Sequence, residues 1–208
     1  MTPHIYDFLM TSIDCLLFDL GGVLVEFNDG FKVFDWADLS PESFFEQWIA
    51  SPTVREFEAG LITTGEFSEG VVTEFQLPVS AQEFLLNFKA MPKGLFDGTQ
   101  DLLNQLRGDY HLACFSNTNH LHWPMLRDDF QLGELMDECF ISCLTGLLKP
   151  DREAFEFVLD ELGCSAEQVV FFDDNSVNTN AAAQLGFRAF QVRGISGLEH
   201  SLNELGLL

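Results

Sequence analysis

Short, mainly apolar runs recur along the chain at residues 13–18, 111–115, 139–143, 169–172 and 187–192. They lack the strict in–out alternation of a half-exposed sheet, which is the pattern of parallel strands covered on both faces. Segments with helical periodicity lie between them. One starts near Asp97, puts Leu102, Leu103 and Leu106 on one face and stops at Gly108. A second runs from Asp151 through Phe155, Val158, Leu159 and Leu162 to Gly163, and a third covers roughly 177–185 with Gly186 beyond its end. Strands alternating with helices predict an α/β fold, a doubly wound, three-layer Rossmann-like parallel sheet. Such sheets bind ligands at the carboxyl ends of their strands.

The alternation is interrupted between residues 28 and 93, where the punctuation is helical throughout. Ser40 before Pro41, Thr63 with Glu66 three residues on, and Ser80 with Glu83 are helix starts, and Gly60 reads as a stop. Phe44, Phe45 and Trp48, then Phe67, Val71 and Phe75, then Phe84, Leu85 and Phe88 supply apolar faces for a small bundle. The expected organisation is a core of residues 1–27 and 94–208 with a helical lid, 28–93, inserted after the first strand.

With 208 residues the chain can bury a sizeable interior, and its 22 Phe residues argue against disorder. Thirty-three acidic residues against ten basic ones give a formal charge of −23, a field that repels nucleic acid and anionic membranes, so neither is an expected partner. An anionic substrate is repelled too, unless a bound cation and a few basic groups reverse the potential locally. No Lys or Arg precedes Lys32, and no apolar stretch is long enough to span a bilayer, so a cytoplasmic protein is expected, as a monomer or homodimer. The five cysteines are odd in number and without C-x-x-C spacing, which suits reduced core thiols.

Chemistry concentrates at the carboxyl ends of four predicted strands: Asp19, Ser116 with Asn117, Lys149, and Asp173 with Asp174. Alone, each has a plain structural explanation: a turn former, a helix cap, a solvated lysine before Pro150. Together they match the needs of phosphoryl transfer, which are an in-line nucleophile, a divalent cation and fixed donors for spreading charge. Asp19 precedes the glycine turn Gly21-Gly22, which permits close approach of a phosphoryl group. Ser116 and Asn117 can donate to phosphate oxygens, and Lys149 offers a point charge. The adjacent Asp173 and Asp174, joined by Asp19, make an oxygen-rich site of the kind Mg2+ prefers.

The segments F-D-L-G-G-V-L (18–24), F-S-N-T-N (115–119), L-K-P (148–150) and F-F-D-D-N (171–175) resemble the four ordered motifs of haloacid dehalogenase-like hydrolases. Within that superfamily the insert resembles a C1 cap, and the wording of the second and fourth motifs is similar to bacterial sugar-phosphate phosphatases of the α-glucose-1-phosphatase type. The resemblance implies Asp19 as nucleophile and Lys149 as charge stabiliser, with phosphate held by Ser116, Asn117 and Gly22. It implies Mg2+ on Asp19, the Gly21 carbonyl, Asp173 and Asp174, with Asn178 supporting the last loop. The substrate would be a small phosphorylated metabolite. Gly21 departs from the superfamily pattern, because it stands where an aspartate protonates the leaving oxygen.

That loss favours substrates with better leaving groups, sugar 1-phosphates above all. Two other readings compete: a 2-haloacid dehalogenase, for which Asp173 and Asp174 would be superfluous, and a non-catalytic binding or regulatory protein on the same fold. His120 and His122 have zinc-ligand spacing but no third ligand of fitting type. Trp123 is expected to pack on the sheet rather than line the pocket.

Overall fold

The computed structural model describes residues 12–28, 36–37 and 39–208, with the backbone alone for Pro41, Glu42 and Phe45. The surroundings of Lys32 and the side chain of Phe45, which the sequence pattern puts on the lid's apolar face, lie outside the described residues.

The chain forms strands β1 (Cys15–Phe18), β2 (Val25–Phe27), β3 (Pro92–Leu95), β4 (His111–Ser116), β5 (Glu138–Ile141), β6 (Val169–Asp173) and β7 (Arg188–Gln191). Five of these make one parallel sheet in the order β5–β4–β1–β6–β7. Successive residues of β1 point to opposite faces. Leu16 and Phe18 join one apolar cluster with Leu102, Leu106, Leu198 and Leu202, while Cys15 and Leu17 join another with Phe155, Val158 and Ala182. Both faces are therefore dry, which is why the strands read as unbroken apolar runs. Each fully buried Leu or Phe contributes about 1.5–3 kcal/mol.

The lid contains α1 (Pro41–Ala50), α2 (Pro52–Glu58), α3 (Thr64–Glu74) and α4 (Ala81–Lys89). Ser40, Thr63 and Ser80 accept hydrogen bonds from the backbone N–H groups of Ser43, Glu66 and Glu83, and Thr63 with Glu66 closes a full capping box. A further start at Ser51, with Pro52 at N1, divides the segment before Gly60 into two helices. Phe67 lies at the lid's centre, stacked on Phe57 with ring centroids 4.0 Å apart and in contact with Phe84, Phe88 and Trp48.

The core resumes with α5 (Thr99–Leu106), and after β4 come a π-helical turn (Met125–Asp129) and the short α6 (Leu132–Leu135) and α7 (Ser142–Thr145). It ends with α8 (Arg152–Leu162), α9 (Ser176–Gln184) and α10 (Gly194–Glu204). Lid and core are joined by an antiparallel ribbon, β2 paired with β3, so both connections cross side by side. The sequence pattern does not announce this ribbon, because Pro92 and Gly94 are poor strand formers. No described helix is long and apolar enough to cross a membrane.

Candidate active site

Strand register brings the predicted residues together. Phe18 is level with Cys114 and Phe172, so the next residues along, Asp19, Phe115 and Asp173, emerge side by side at the sheet's carboxyl edge. The Asp19 N–H donates to Phe172 O at 2.8 Å, extending the ladder by one step. The turn that follows needs a glycine at one of its two positions. Gly22 has φ +73°, and a Cβ there would stand 2.5 Å from Asp174 Oδ2. Gly21 is crowded differently, since a Cβ would come within 2.4 Å of Phe27 Cζ, so the half-exposed ring of β2 fills the space a side chain at 21 would occupy.

Lys149 is the centre of the arrangement. Its ammonium, 2% exposed, donates to Asp19 Oδ1 (2.9 Å), Asp173 Oδ2 (2.7 Å) and Phe115 O (2.7 Å). Three donors meet three acceptors, which satisfies a buried ammonium completely. Burial pulls the lysine down, but Asp173 and Asp19 outweigh it and push it up to about 12. Its backbone is held equally firmly. Asn117 Nδ2 donates to Lys149 O and the Lys149 N–H donates to Asn117 Oδ1, both at 2.9 Å. The Asn117 side chain thus positions the lysine, an engagement its place in F-S-N-T-N does not reveal. Ser116 Oγ lies 3.4 Å from Thr118 Oγ1.

Asp173 is fully buried and well supplied with donors. Asn178 Nδ2 donates to both of its oxygens at 3.0 Å, and the Asn175 N–H donates to Oδ1 at 2.8 Å. Asp19, Asp173 and Asp174 each present a carboxylate oxygen within 4.8 Å of the others. Lys149 alone cannot balance three carboxylates. Burial, followed by the charge of Asp173, raises Asp174 to about 6. Burial likewise raises Asp19; Lys149 opposes the rise, and Asp173 and Asp174 add to it. A strained, all-oxygen cluster of this kind fits a hard divalent cation.

The lid closes on this edge through contacts that sequence reasoning missed. Ser142 Oγ accepts from the Thr118 N–H (2.9 Å) and donates to Glu58 O at the end of α2 (2.7 Å). Arg55, one turn earlier, pairs with Asp151 at 2.6 Å. His122 Nε2 lies 2.9 Å from Phe88 O in α4. Glu58 is half-buried at the end of α2; burial raises its carboxyl to about 7, with Arg55 and Lys149 opposing and Asp19 adding to the rise. The stretch F-E-A-G carries Glu58 in the sequence, but nothing in its spacing distinguishes this glutamate from Glu56. The H-x-H spacing serves no metal, because His122 is tied to Phe88 and Asn119. Trp123 belongs to the sheet's apolar core.

A family model for haloacid dehalogenase-like hydrolases matches residues 13–186, and the chain belongs to that family of enzymes. Two curated relatives are similar to the chain. Flavin mononucleotide hydrolase 1 of Arabidopsis thaliana is 28% identical over 152 residues, 68% of this chain and 61% of the relative, so the chain spans less than two thirds of that protein. D-ribitol-5-phosphate phosphatase of Bacteroides thetaiotaomicron is 25% identical over 189 residues, 85% of this chain and 90% of the relative. Among solved structures, a HAD family enzyme of Bacteroides thetaiotaomicron in complex with magnesium and inorganic phosphate superimposes with a TM-score of 0.70 at 25% identity. It covers 88% of this chain and 95% of that one.

Proposed function

We propose that the protein is a Mg2+-dependent phosphatase that hydrolyses a small phosphorylated metabolite through an aspartyl-phosphate intermediate. The observation that carries this reading is the convergence of Asp19, Lys149, Asp173 and Asp174 on one strand edge, with the ammonium bonded to two of the three carboxylates. Asp19, the nucleophile, attacks phosphorus with Oδ2, the oxygen that Lys149 does not hold. Lys149 keeps the carboxylate oriented and faces the phosphate with fixed positive charge. Ser116 and the backbone N–H groups of Gly21 and Asn117 are the donors for the remaining phosphoryl oxygens; Gly22, expected from its motif to hold phosphate, spends its N–H on Val25 O at 2.9 Å and serves the turn instead.

A divalent cation held by Asp19, Asp174 and the Gly21 carbonyl would neutralise the phosphate. Asp173, whose oxygens already receive Lys149, Asn175 and Asn178, contributes charge and alignment. A dehalogenase attacking carbon would leave these carboxylates without a task. The resemblance of the insert to a C1 cap, and of the motifs to α-glucose-1-phosphatases, supports a sugar phosphate as substrate. With no side chain at position 21 to protonate the leaving oxygen, sugar 1-phosphates, whose anomeric hydroxyl is the better leaving group, are preferred to the 6-phosphates. Turnover of p-nitrophenyl phosphate that needs Mg2+, stops with EDTA and is abolished in Asp19→Asn is the expected result. Metal-independent turnover, or full activity in Asp19→Asn, would overturn the reading. Equal kcat/KM on glucose 1-phosphate and glucose 6-phosphate would remove the substrate preference alone.

A further inference from the structure

As the bond between phosphorus and an alkyl oxygen breaks, that oxygen takes the electron pair and needs a proton. The turn after Asp19 has none to give, because Gly21 and Gly22 lack side chains and the Phe27 ring fills the space beside Gly21. The three strand-end carboxyls are committed elsewhere: Asp19 to phosphorus, Asp173 to Lys149, Asn175 and Asn178, and Asp174 to the cation.

Among the described residues, a further acidic residue stands beside this edge, and it comes from the lid. Glu58 ends α2, and its main-chain carbonyl accepts a 2.7 Å hydrogen bond from Ser142, which also receives the Thr118 N–H of the Ser116 loop. That bond fixes the end of α2 beside the loop. Next to it, a Cβ on Gly60 would stand 2.7 Å from Cys143 O, so the chain passes against the core with no room for a side chain. The half-buried Glu58 carboxyl feels the charge of Arg55 most and, after it, those of Lys149 and Asp19. Arg55, which could otherwise have claimed it from one turn away, directs its guanidinium to Asp151.

We propose that Glu58 is a catalytic residue of the lid, donating the proton to the leaving oxygen of the substrate. The proposal rests on the phosphatase reading above, but not on its preference for sugar 1-phosphates, which presumes that no acid stands at the leaving oxygen. In the first step Asp19 Oδ2 bonds to phosphorus, the P–O bond to the leaving group breaks, and the Glu58 proton passes to the departing oxygen, giving an alcohol and a Glu58 carboxylate. In the second step water attacks the acyl phosphate, Glu58 takes the water's proton, and phosphate and the Asp19 carboxylate are released. Both steps balance, and Glu58 ends protonated as it began. Burial, which holds this carboxyl near neutrality, keeps a large share of it in the donating form. A donor borne on the lid acts only when the lid is shut.

The test compares n-butyl phosphate, whose leaving oxygen needs a proton, with p-nitrophenyl phosphate, whose leaving group needs little help. General-acid assistance is worth on the order of 100- to 10,000-fold. In Glu58→Gln, kcat/KM for the butyl ester should fall at least about 100-fold and for the aryl ester only several-fold, so that their ratio shifts by at least about 30-fold. Glu58→Asp should recover part of the butyl activity, and Glu56→Gln, on the exposed side of the same helix, should leave the ratio unchanged. Equal losses on both esters in Glu58→Gln would mark a structural role and overturn the proposal, as would a wild-type enzyme active on the aryl ester but inert to the butyl one. A wild-type protein active on neither ester would instead overturn the phosphatase reading underneath.

Discussion

Acidification should undo the docking of lid on core at His122. The imidazole is 3% exposed, lies against the Phe88 ring and sits between two fixed partners. Asn119 Oδ1 accepts from the backbone N–H groups of Leu121 and His122, which turns the Asn119 amide nitrogen toward His122 Nδ1 as a donor. Nδ1 must then accept, and Nε2 carries the proton to Phe88 O. A second ring proton would meet an N–H head-on in a dry site. Burial accordingly lowers this histidine from 6.5 to about 4, with the bond to Phe88 opposing.

Between these values the unfolded chain binds a proton that the folded one refuses, so stability rises with pH across the window and is lost as pH falls through it. At about 1.4 kcal/mol per pH unit the full penalty is about 3.5 kcal/mol, and more than about 2 kcal/mol of it is felt by about pH 4.5. Urea unfolding of the wild type and of His122→Gln, which keeps a donor for Phe88 O and does not titrate, isolates the effect from that of the carboxylates. The wild type should lose about 2 kcal/mol more than the variant between about pH 7 and 4.5. Parallel losses would show that His122 is not held neutral by these contacts.

Three other expectations follow from the same geometry. Lys149→Met strands Asp19 and Asp173 in a dry site, so turnover should fall at least about 100-fold and the unfolding free energy by about 3–5 kcal/mol, read by p-nitrophenyl phosphate assay and urea titration. Asn178→Ala removes the donor to both Asp173 oxygens, and the Mg2+ concentration for half-maximal activity should rise about 10- to 100-fold. Phe67→Ala empties the centre of the lid's aromatic cluster and should cost about 3–5 kcal/mol, visible as earlier thermal loss of the Trp48 fluorescence signal.

The sheet and the polar residues at its carboxyl edge were legible because buried parallel strands leave an unmistakable signature, and because several such runs close on polar residues together. Asp19, Ser116 and Asp173 could be placed by counting to the end of an apolar run. The helix starts at Ser40, Thr63 and Ser80 were legible for a local reason, since a cap is satisfied by atoms three residues away. Ser51 with Pro52 carries the same sign as Ser40 with Pro41 and was obscured by lying inside one apolar stretch. Glu58, Arg55 and Asp151 were not legible at all. Their pairings depend on how the lid is set down on the core, and that follows from shape complementarity across segments about 90 residues apart rather than from any local pattern. The position of Phe27 against Gly21 belongs to the same category.

The ribbon of β2 and β3 has a consequence for the site. Phe27 belongs to the strand on which the lid is mounted, and its ring rests beside the turn that follows Asp19. A movement of the helices on this stalk would carry that ring with it and so change the surroundings of Asp19.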